Sequence, residues 1–505
     1  MPINLVFVHG WSVTNLNTYG QLPLRLRAEF AAHGETAAIH EIWLARYISF
    51  HDEVQLADIS RAFQAAIDEQ LAGIVAAGER FIVITHSTGG PVLRDWWARY
   101  WKSSAKPGPM SHLIMLAPAN FGSALAQLGK GTLGRLRSWT QGVQPGQGVL
   151  DWLELGSAPA WALNTDWITT AQSPAGANGF YPFVIVGQSI DRQLYDNLNS
   201  YTGEIGSDGC VRSAGANLNA DMVIIKQNLS TAADGSLQDG DPALEYHTAP
   251  ATPFLIVKGK SHSGDTMGIM TSIKAETTDA PSQETVNAIL TAIRVANEAD
   301  YANAINSFAA QTAANQQIQR LESVSDRLIT LTKRYFIHDR FCMVIFRLLD
   351  TEGNALKDFD LLFTAGDNSP NHLPEGFFAD RQQNSHHPET ITYFVNYDIL
   401  KGAPAVTDGA KTVREAAPGI TKLGLQVKPR PDSGFVHYRP LEIVAQPEFF
   451  DKMVKPNSTI LVDIRLKRLV SKEVFRLEGP LGPAMPDDKA GNFKDVDPGN
   501  LFVCC

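Results

Sequence analysis

Ser87 lies in the segment Thr-His-Ser-Thr-Gly at residues 85–89, directly after the strand-like run 80–84. A serine flanked by small residues, on a tight turn from a buried strand into a helix, has the pattern of a nucleophile elbow. Such a turn lifts the hydroxyl clear of the sheet, towards the positive end of the next helix. Thr85 replaces the usual first glycine, so the segment alone is also compatible with an ordinary Ser/Gly-rich turn. His86 is expected to point the other way and to be structural.

The acid that would support such a serine is predicted at Asp208. A serine hydroxyl is a poor nucleophile until a base accepts its proton and an acid orients that base. In hydrolases with a nucleophile elbow the chain order is serine, acid, histidine. Asp208 lies in Ser-Asp-Gly-Cys-Val at 207–211, beyond the predicted strand 183–186. Asp191 follows that strand more closely and is the competing candidate.

The base is predicted at His262, in Lys-Ser-His-Ser-Gly at 260–264. This segment immediately follows the predicted strand 254–258, and a histidine between small polar residues in a loop is poorly explained by core packing. His51 and His112 are the alternatives, but both depart from the expected order or placement. The order of the chain therefore favours His262.

A tetrahedral intermediate needs two backbone N–H donors, each of which contributes about 3–4 kcal/mol in comparable sites. Thr88, the residue after the serine, would supply one donor. The other is predicted at Trp11, in His-Gly-Trp-Ser at residues 9–12, where Gly10 allows the backbone to turn after the first strand. These positions complete the constellation expected for acyl transfer.

The motifs together resemble the α/β-hydrolase superfamily. They are Val-Phe-Val-His-Gly-Trp at 6–11, the segment around Ser87, Leu-Ala-Pro-Ala-Asn-Phe-Gly-Ser at 116–123 and Ser-Asp-Gly-Cys-Val. The resemblance is to the lipase branch, which includes bacterial triacylglycerol lipases and the lecithin–cholesterol acyltransferase and GPI-inositol-deacylase groups. It covers about residues 3–300. It implies a nucleophile at Ser87, an acid at Asp208, a base at His262 and oxyanion donors at Trp11 and Thr88, with no metal or organic cofactor.

The elements that would position these residues alternate between strand and helix over residues 3–115. Short apolar strands separated by helices predict a parallel sheet covered on both faces. The predicted strands are 3–8, 36–44, 81–85, 112–116, 183–186, 222–226 and 254–258, and the predicted helices are 19–33, 54–77, 90–102 and 285–308. The fold class is therefore α/β, an α/β-hydrolase with a doubly wound, mostly parallel sheet.

Residues 123–181 interrupt this alternation and are rich in Gly, Leu and Trp. The leucines at 125, 128, 133 and 136 are spaced as on a helix, and tryptophans stand at 139, 152, 161 and 167. The segment predicts either a helical cap packed over the sheet or a mobile lid whose apolar face meets lipid.

After residue 335 the pattern changes to short strands with Pro/Gly-rich turns, which predicts a C-terminal all-β sandwich, Ig-like or C2-like. The predicted strands are 340–348, 358–364, 390–397, 422–427, 436–444 and 459–469. The resulting division is a catalytic domain at 1–310, a helical linker at 311–334, the sandwich at 335–478 and a poorly structured tail at 479–505.

Composition limits the possible partners. Hydrophobic residues make up 44% and charged residues 19% of the 505 residues, as in ordinary globular proteins, and the net charge of −10 argues against nucleic acid. Four cysteines form no disulfide framework. Cys210 and Cys342 are expected to be buried, and lipidation of the terminal pair Cys504-Cys505 is a minor alternative.

Residues 3–8 read as a strand that begins without a basic region, an apolar region or a cleavage site, and no stretch is long enough to span a membrane. Synthesis in the cytosol is expected, with any export by a route that reads no cleavable signal, as in bacterial lipase effectors.

The function predicted is a serine carboxylic-ester hydrolase of the lipase or phospholipase A type. The Trp- and Leu-rich insertion favours an acyl-chain substrate, and the sandwich would contact a membrane surface or a protein partner. The alternatives are a small-ester esterase or acyltransferase of the same fold, and a non-catalytic hydrolase fold that serves as a binding module.

Overall fold

In the residues that the structure describes, eight strands form before residue 258, and six of them build one parallel sheet. The computed structural model describes residues 2–9, 18–48, 51–129, 146–170, 174–190, 204–234, 236–276, 279–318, 320–325 and 333–471. The strands are β1 (Ile3–His9), β2 (Ala37–Trp43), β3 (Phe81–His86), β4 (Met110–Leu116), β5 (Tyr181–Gly187), β6 (Asp221–Thr231), β7 (Leu237–Thr248) and β8 (Phe254–Val257). The order in the sheet is β2-β1-β3-β4-β5-β8, with every neighbouring pair parallel. This confirms the predicted α/β fold.

Helices cover both faces of this sheet. The helices of the described residues are α1 (Leu22–Ala32), α2 (Leu56–Gln70), α3 (Ala72–Ala76), α4 (Gly89–Tyr100), α5 (Leu125–Gly129), α6 (Gln147–Leu153), α7 (Ala158–Ile168), α8 (Ser213–Ala216), α9 (Ala280–Ile293), α10 (Glu298–Ile318), α11 (Tyr397–Lys401) and α12 (Pro447–Met453). The last two, α11 and α12, pack with the C-terminal strands instead of this sheet. Val6 and Val8 pack with α2 and α4, whereas Leu5 and Phe7 pack with α1, α9 and α10. Alternate side chains of one strand thus enter two different cores.

The helical insertion packs against the first of these cores. Trp152, Trp161 and Trp167 are all buried there, together with apolar residues of α6 and α7. The described part of the insertion is therefore a packed cap, and its tryptophans face the protein interior rather than lipid. The remainder of the predicted leucine-spaced helix, with Trp139, falls in 130–145 and lies outside the described residues.

A second region is built around two facing sheets. It contains β6 and β7 together with the strands that follow β8 in the chain. These are β9 (Leu321–Ser325), β10 (Lys333–Ile337), β11 (Phe341–Asp350), β12 (Phe359–Thr364), β13 (Phe378–Gln383), β14 (Thr390–Asn396), β15 (Val406–Asp408), β16 (Lys411–Arg414), β17 (Leu423–Pro429), β18 (Val436–His437), β19 (Leu441–Gln446), β20 (Ser458–Leu466) and β21 (Leu469–Val470). A six-stranded sheet, β13-β14-β11-β20-β6-β7, faces the three-stranded sheet β12-β17-β19 across a common core. The predicted sandwich is confirmed, although its larger sheet is mixed, since β11, β20 and β6 run parallel.

The strand predicted at 222–226 forms, but it does not join the parallel sheet. It lies in β6, which pairs with β20 and β7 in the second region. The outer half of β6 alternates between buried and exposed residues, as in a strand with one face in solvent, whereas β5 is buried throughout.

The central strands of the larger sheet, β14, β11 and β20, are buried on both faces. Val344 and Phe346 face the three-stranded sheet, whereas Met343 and Ile345 pack into the same core as the cap and α4. One hydrophobic core therefore continues from the parallel sheet into the second region.

Two further segments differ from the sequence-based expectation. The helical stretch predicted at 285–308 forms two helices, α9 and α10. Residues 321–325 of the expected linker form β9, which pairs antiparallel with β10. In the described residues, no helix combines the length and hydropathy needed to cross a bilayer. The predicted tail at 479–505 lies outside those residues.

Candidate active site

The turn from β3 to α4 places Ser87 in a strained backbone conformation. Its φ angle is 55°, in the left-handed region that non-glycine residues rarely adopt. Two backbone hydrogen bonds fix the turn: the Ser87 N–H donates to the carbonyl oxygen of Leu116 (3.0 Å), and the Ala119 N–H donates to the carbonyl oxygen of Ser87 (3.2 Å). This is the geometry that a strand–serine–helix elbow requires.

Close packing explains why the segment tolerates threonine in place of its first glycine. A Cβ atom on Gly89 would overlap the Thr85 hydroxyl, and one on Gly90 would overlap Pro118. The side chain of Thr85 therefore occupies the space that the missing side chain of Gly89 leaves free.

Ser87, His262 and Asp208 lie in hydrogen-bonded sequence. The Nε2 atom of His262 is 3.1 Å from Ser87 Oγ, and its Nδ1 atom is 2.9 Å from Asp208 Oδ2. His262 and Asp208 are each about 1% exposed, so water competes little for these contacts. The His262 backbone N–H also donates to the Asp208 carbonyl oxygen at 2.9 Å. Three segments that are distant in the chain thus converge on one hydrogen-bonded row of side chains.

The second oxygen of Asp208 is occupied by its own loop. Asp208 Oδ1 accepts hydrogen bonds from the backbone N–H groups of Cys210 (3.0 Å) and Val211 (2.8 Å). Gly209 makes this turn possible, because its φ of 99° is disfavoured for residues with a side chain. The carboxylate is therefore oriented with Oδ2 towards His262.

The two rival histidines lie in the described residues, and the rival acid does not. Asp191 lies outside the described residues. His51 is exposed, and His112 is buried in β4, where its Nε2 atom is 2.8 Å from the carbonyl oxygen of Val295.

His86 contacts His262, contrary to the expectation that it points away. Its Nε2 atom is 3.0 Å from the His262 carbonyl oxygen, so Nε2 carries a hydrogen and donates it. The two ring centroids are 4.6 Å apart. Burial, followed by the neighbouring His262, lowers the pKa of His86 well below its usual value. A neutral imidazole therefore supports the backbone of the base loop.

Lys260 is a second contact that sequence reasoning missed. This buried ammonium group donates to Ser272 Oγ (2.6 Å) and Ser282 Oγ (2.8 Å), so it connects the base loop to the start of α9. Burial lowers its pKa to about 8, although Asp279 nearby acts in the opposite direction. The apolar strand before it gave no indication of a buried lysine.

Ser123 connects the segment after β4 to the acid loop. Its hydroxyl donates to the Cys210 carbonyl oxygen at 2.6 Å, and the Phe121 N–H donates to the carbonyl oxygen of Gly215 at 2.9 Å. The motif at 116–123 thus packs directly on the loop that carries Asp208.

Of the two predicted oxyanion donors, Thr88 lies within the described residues and Trp11 does not. Thr88 immediately precedes α4, as a donor after the nucleophile must. Trp11 lies in 10–17, outside the described residues. His9, the last residue of β1, is buried and stacks on Trp43 with ring centroids 3.6 Å apart, and burial lowers its pKa to about 4.

Comparison with protein-family models and with curated proteins finds no match. Among solved structures, the chain is similar to phospholipase PlaB from Legionella pneumophila, with 39% identity, a TM-score of 0.82 and coverage of 96% of this chain and 97% of that chain. A structure of PlaB in complex with thio-NAD matches equally, with 39% identity and a TM-score of 0.81 over the same shares. The Bacillus licheniformis lipase BlEst2 in mature form matches at 18% identity with a TM-score of 0.28, over 43% of this chain and 79% of that chain. The similarity to PlaB includes both regions of the chain.

Proposed function

This chain belongs to the family of phospholipase PlaB and is a lipid ester hydrolase, and we propose that it cleaves acyl esters of phospholipids with Ser87, His262 and Asp208 as its catalytic residues. The observation that carries the residue assignment is the pair of hydrogen bonds through His262, at 3.1 and 2.9 Å. A serine, an imidazole and a carboxylate in this order form the constellation that activates a hydroxyl for acyl transfer.

In the proposed reaction, Ser87 Oγ attacks the acyl carbonyl carbon while His262 Nε2 accepts the hydroxyl proton. The imidazolium that forms is stabilised by Asp208 through its Nδ1–H. Collapse of the tetrahedral intermediate breaks the ester bond, and His262 delivers the proton to the leaving alcohol oxygen. Water then attacks the acyl-enzyme with His262 again as base, which releases the fatty acid and restores Ser87.

The developing oxyanion would be bound by two backbone N–H groups. We assign these to Thr88 and Trp11, the former because it follows Ser87 at the positive end of α4. Trp11 is assigned by its position after β1 in the sequence.

Contact with the lipid surface is assigned to the second region. Its three-stranded sheet exposes the apolar side chains of Leu362 (40%) and Val444 (61%). Phe435, in the loop before β18, is 62% exposed. Sedimentation of the Ser87→Ala protein with phosphatidylcholine vesicles would test this contact without consuming the lipid.

The reaction is tested by replacing Ser87 with alanine and measuring fatty-acid release from phosphatidylcholine vesicles and from a triacylglycerol emulsion. We expect Ser87→Ala to lose at least about 10⁴-fold in kcat and all labelling by a fluorophosphonate, because loss of the nucleophile removes the covalent route. Ser111→Ala is the matched control, since this hydroxyl bonds the Phe81 carbonyl oxygen at the opposite end of the strands.

Retained hydrolysis by Ser87→Ala would refute the mechanism. Faster release from the triacylglycerol emulsion than from phospholipid vesicles would refute the proposed substrate class but not the assignment of the serine.

A further inference from the structure

The acid loop, defined as residues 204–216, contains a buried arginine four residues after Asp208. Arg212 has a side chain only 3% exposed, and its guanidinium makes a bidentate pair with Glu204, with both N···O distances 2.8 Å. The same guanidinium also pairs with Asp380, which lies on β13 of the second region. An ion pair therefore joins the acid loop to a residue 168 positions further along the chain.

Aromatic side chains of the second region complete this contact. The Arg212 guanidinium carbon lies 4.2 Å from the ring centroid of Phe394, on β14. Phe394 stacks on Phe341 of β11, with centroids 4.7 Å apart. Gly206 of the acid loop lies against Phe341 so closely that a Cβ atom there would overlap the ring. The planar guanidinium thus packs on an aromatic face while it pairs in bidentate fashion with Glu204, a combination that a lysine ammonium group does not reproduce.

The end of the acid loop is fixed by the second region as well. Thr459 Oγ1 on β20 donates to the Ala214 carbonyl oxygen at 2.8 Å. The beginning and the end of the loop therefore both rest on the mixed sheet, while Ser123 contacts the loop from the side of the parallel sheet.

Burial acts to lower the pKa of Arg212, but Glu204 and Asp380 outweigh it and raise the pKa above its usual value. The guanidinium is thus a permanent charge that depends on both carboxylates. Within the described ranges, the ionisable groups that contact it are Glu204 and Asp380, and those that contact His262 are Asp208 and His86. Loss of Asp380 would leave a buried cation with one partner, and the side chain would have to move.

We propose that Arg212 and Asp380 are positioning residues for the reaction, which orient Asp208 towards His262 by fixing the acid loop on the second region. The inference rests on the proposed role of Asp208. The placement of Asp208 matters, because a catalytic group must lie within about 0.5 Å of its productive position. The second region is then part of the active-site support as well as a surface for lipid contact.

The test compares Asp380→Asn and Arg212→Met with two controls in the full-length protein. Asp463→Asn removes another buried carboxylate of the mixed sheet, which pairs with Arg347 at 3.0 Å and does not belong to the acid loop or its contacts. Asp360→Asn removes one of the two exposed carboxylates that pair with Arg430. For each variant we measure kcat, KM and the pH profile with a soluble p-nitrophenyl ester, the rate of fluorophosphonate labelling, and Tm.

For Asp380→Asn and Arg212→Met we expect kcat and the labelling rate to fall about 10- to 100-fold with KM nearly unchanged, as for a small displacement of a catalytic group. The acidic limb of the pH profile should move to lower pH, because a displaced Asp208 stabilises the His262 imidazolium less. Asp380→Glu, which can still reach Arg212, should recover most of the rate. Asp463→Asn should lower Tm without moving the acidic limb, and Asp360→Asn should change neither.

The inference is overturned if Asp380→Asn and Arg212→Met retain kcat, or if their losses follow Tm as in Asp463→Asn with the acidic limb unmoved. Asp208→Asn separates the two levels of the argument. If Asp208→Asn keeps its activity, the proposed catalytic acid is wrong. If it loses activity while Asp380→Asn does not, only the positioning role fails.

Discussion

The nucleophile and the acid of the proposed triad are supported in opposite ways. Ser87 is placed by its own neighbourhood, since its hydrogen bonds reach Leu116 and Ala119 and its close packing involves Thr85 and Gly89. The acid loop is placed by remote chain, through pairs that are 168 and 245 positions apart. The first arrangement belongs to one strand and its neighbours, whereas the second needs the whole molecule.

This difference has a consequence for how the two regions depend on each other. A separated catalytic region would keep the hydrogen bonds that fix the turn at Ser87, because both of their partners, Leu116 and Ala119, lie within it. It would lose the second-region partners of Arg212 and the strand β20 that contacts Ala214. We therefore expect such a fragment to have a serine on a strained turn and a poorly oriented acid.

Among changes at the elbow around Ser87, the largest effect is expected for Gly89→Ala. The new methyl group would overlap the Thr85 hydroxyl, so the elbow must shift, at a cost of about 1–3 kcal/mol in the free energy of unfolding. We expect kcat to fall about 100-fold, because Ser87 moves with the turn. Urea denaturation and ester hydrolysis measure the two changes.

A double-mutant cycle of Thr85→Ala with Gly89→Ala tests whether the packing of these two residues limits the elbow. Thr85→Ala removes the overlapping hydroxyl, so Thr85→Ala with Gly89→Ala should recover at least about 1 kcal/mol relative to the sum of the single changes. Gly73→Ala is the control, because no atom lies near the position of its Cβ. Additive effects of Thr85→Ala and Gly89→Ala would show that the packing described for the elbow is not what limits it.

The same contrast explains which parts of the molecule could be predicted from the sequence. The parallel sheet and the elbow follow from short apolar strands and small residues at fixed positions, which are local patterns. The positions of Asp208 and His262 follow from chain order. The support of the acid loop could not be predicted, because nothing near Arg212 in the sequence indicates that Asp380 is its partner.

β6 and His86 illustrate two other limits. A short apolar strand has the same sequence pattern in either sheet, so β6 was expected in the parallel sheet although its partners are β20 and β7. The sequence predicts that His86 points the other way off the turn, whereas its Nε2 atom contacts the carbonyl oxygen of His262, which is 176 positions further along the chain.

An intermediate effect is expected for His86→Phe, which keeps a ring beside His262 but removes the hydrogen bond to its carbonyl oxygen. A hydrogen bond of this kind contributes about 1 kcal/mol, so we expect kcat to fall about 5- to 10-fold with KM unchanged. Because His86 is neutral, the number of groups in the pH profile should not change. Steady-state kinetics from pH 5 to 9 would measure both.

His112→Phe is the matched control, since this buried histidine of β4 bonds Val295 and does not touch the base loop. An equal fall in kcat for both variants would mean that His86 acts only through the stability of the sheet.

The smallest effect is expected at Lys260, which supports the base loop through a titratable contact. Its pKa is about 8 in the folded protein and about 10.4 in an unfolded chain, so between these values the unfolded chain binds the proton that the folded protein has released. The free energy of unfolding therefore rises with pH across this window, and the cost of the buried charge is fully present below pH 8. Relative to Lys260→Met, the wild-type protein should gain about 1–2 kcal/mol between pH 7.5 and 9.5 in urea denaturation.

The control for this measurement is Lys226→Met, which removes an exposed lysine of β6 that pairs with Glu245 at 3.2 Å. Its difference from the wild-type protein in free energy of unfolding should stay constant over the same pH range. If the difference for Lys260→Met is constant as well, Lys260 is not a buried charge that Ser272 and Ser282 hold. A rising difference would mean that the base loop, like the acid loop, depends on a buried cation, although in this case both partners belong to the hydrolase region itself. Ser87 would then be the member of the triad that is held by backbone hydrogen bonds and close packing instead.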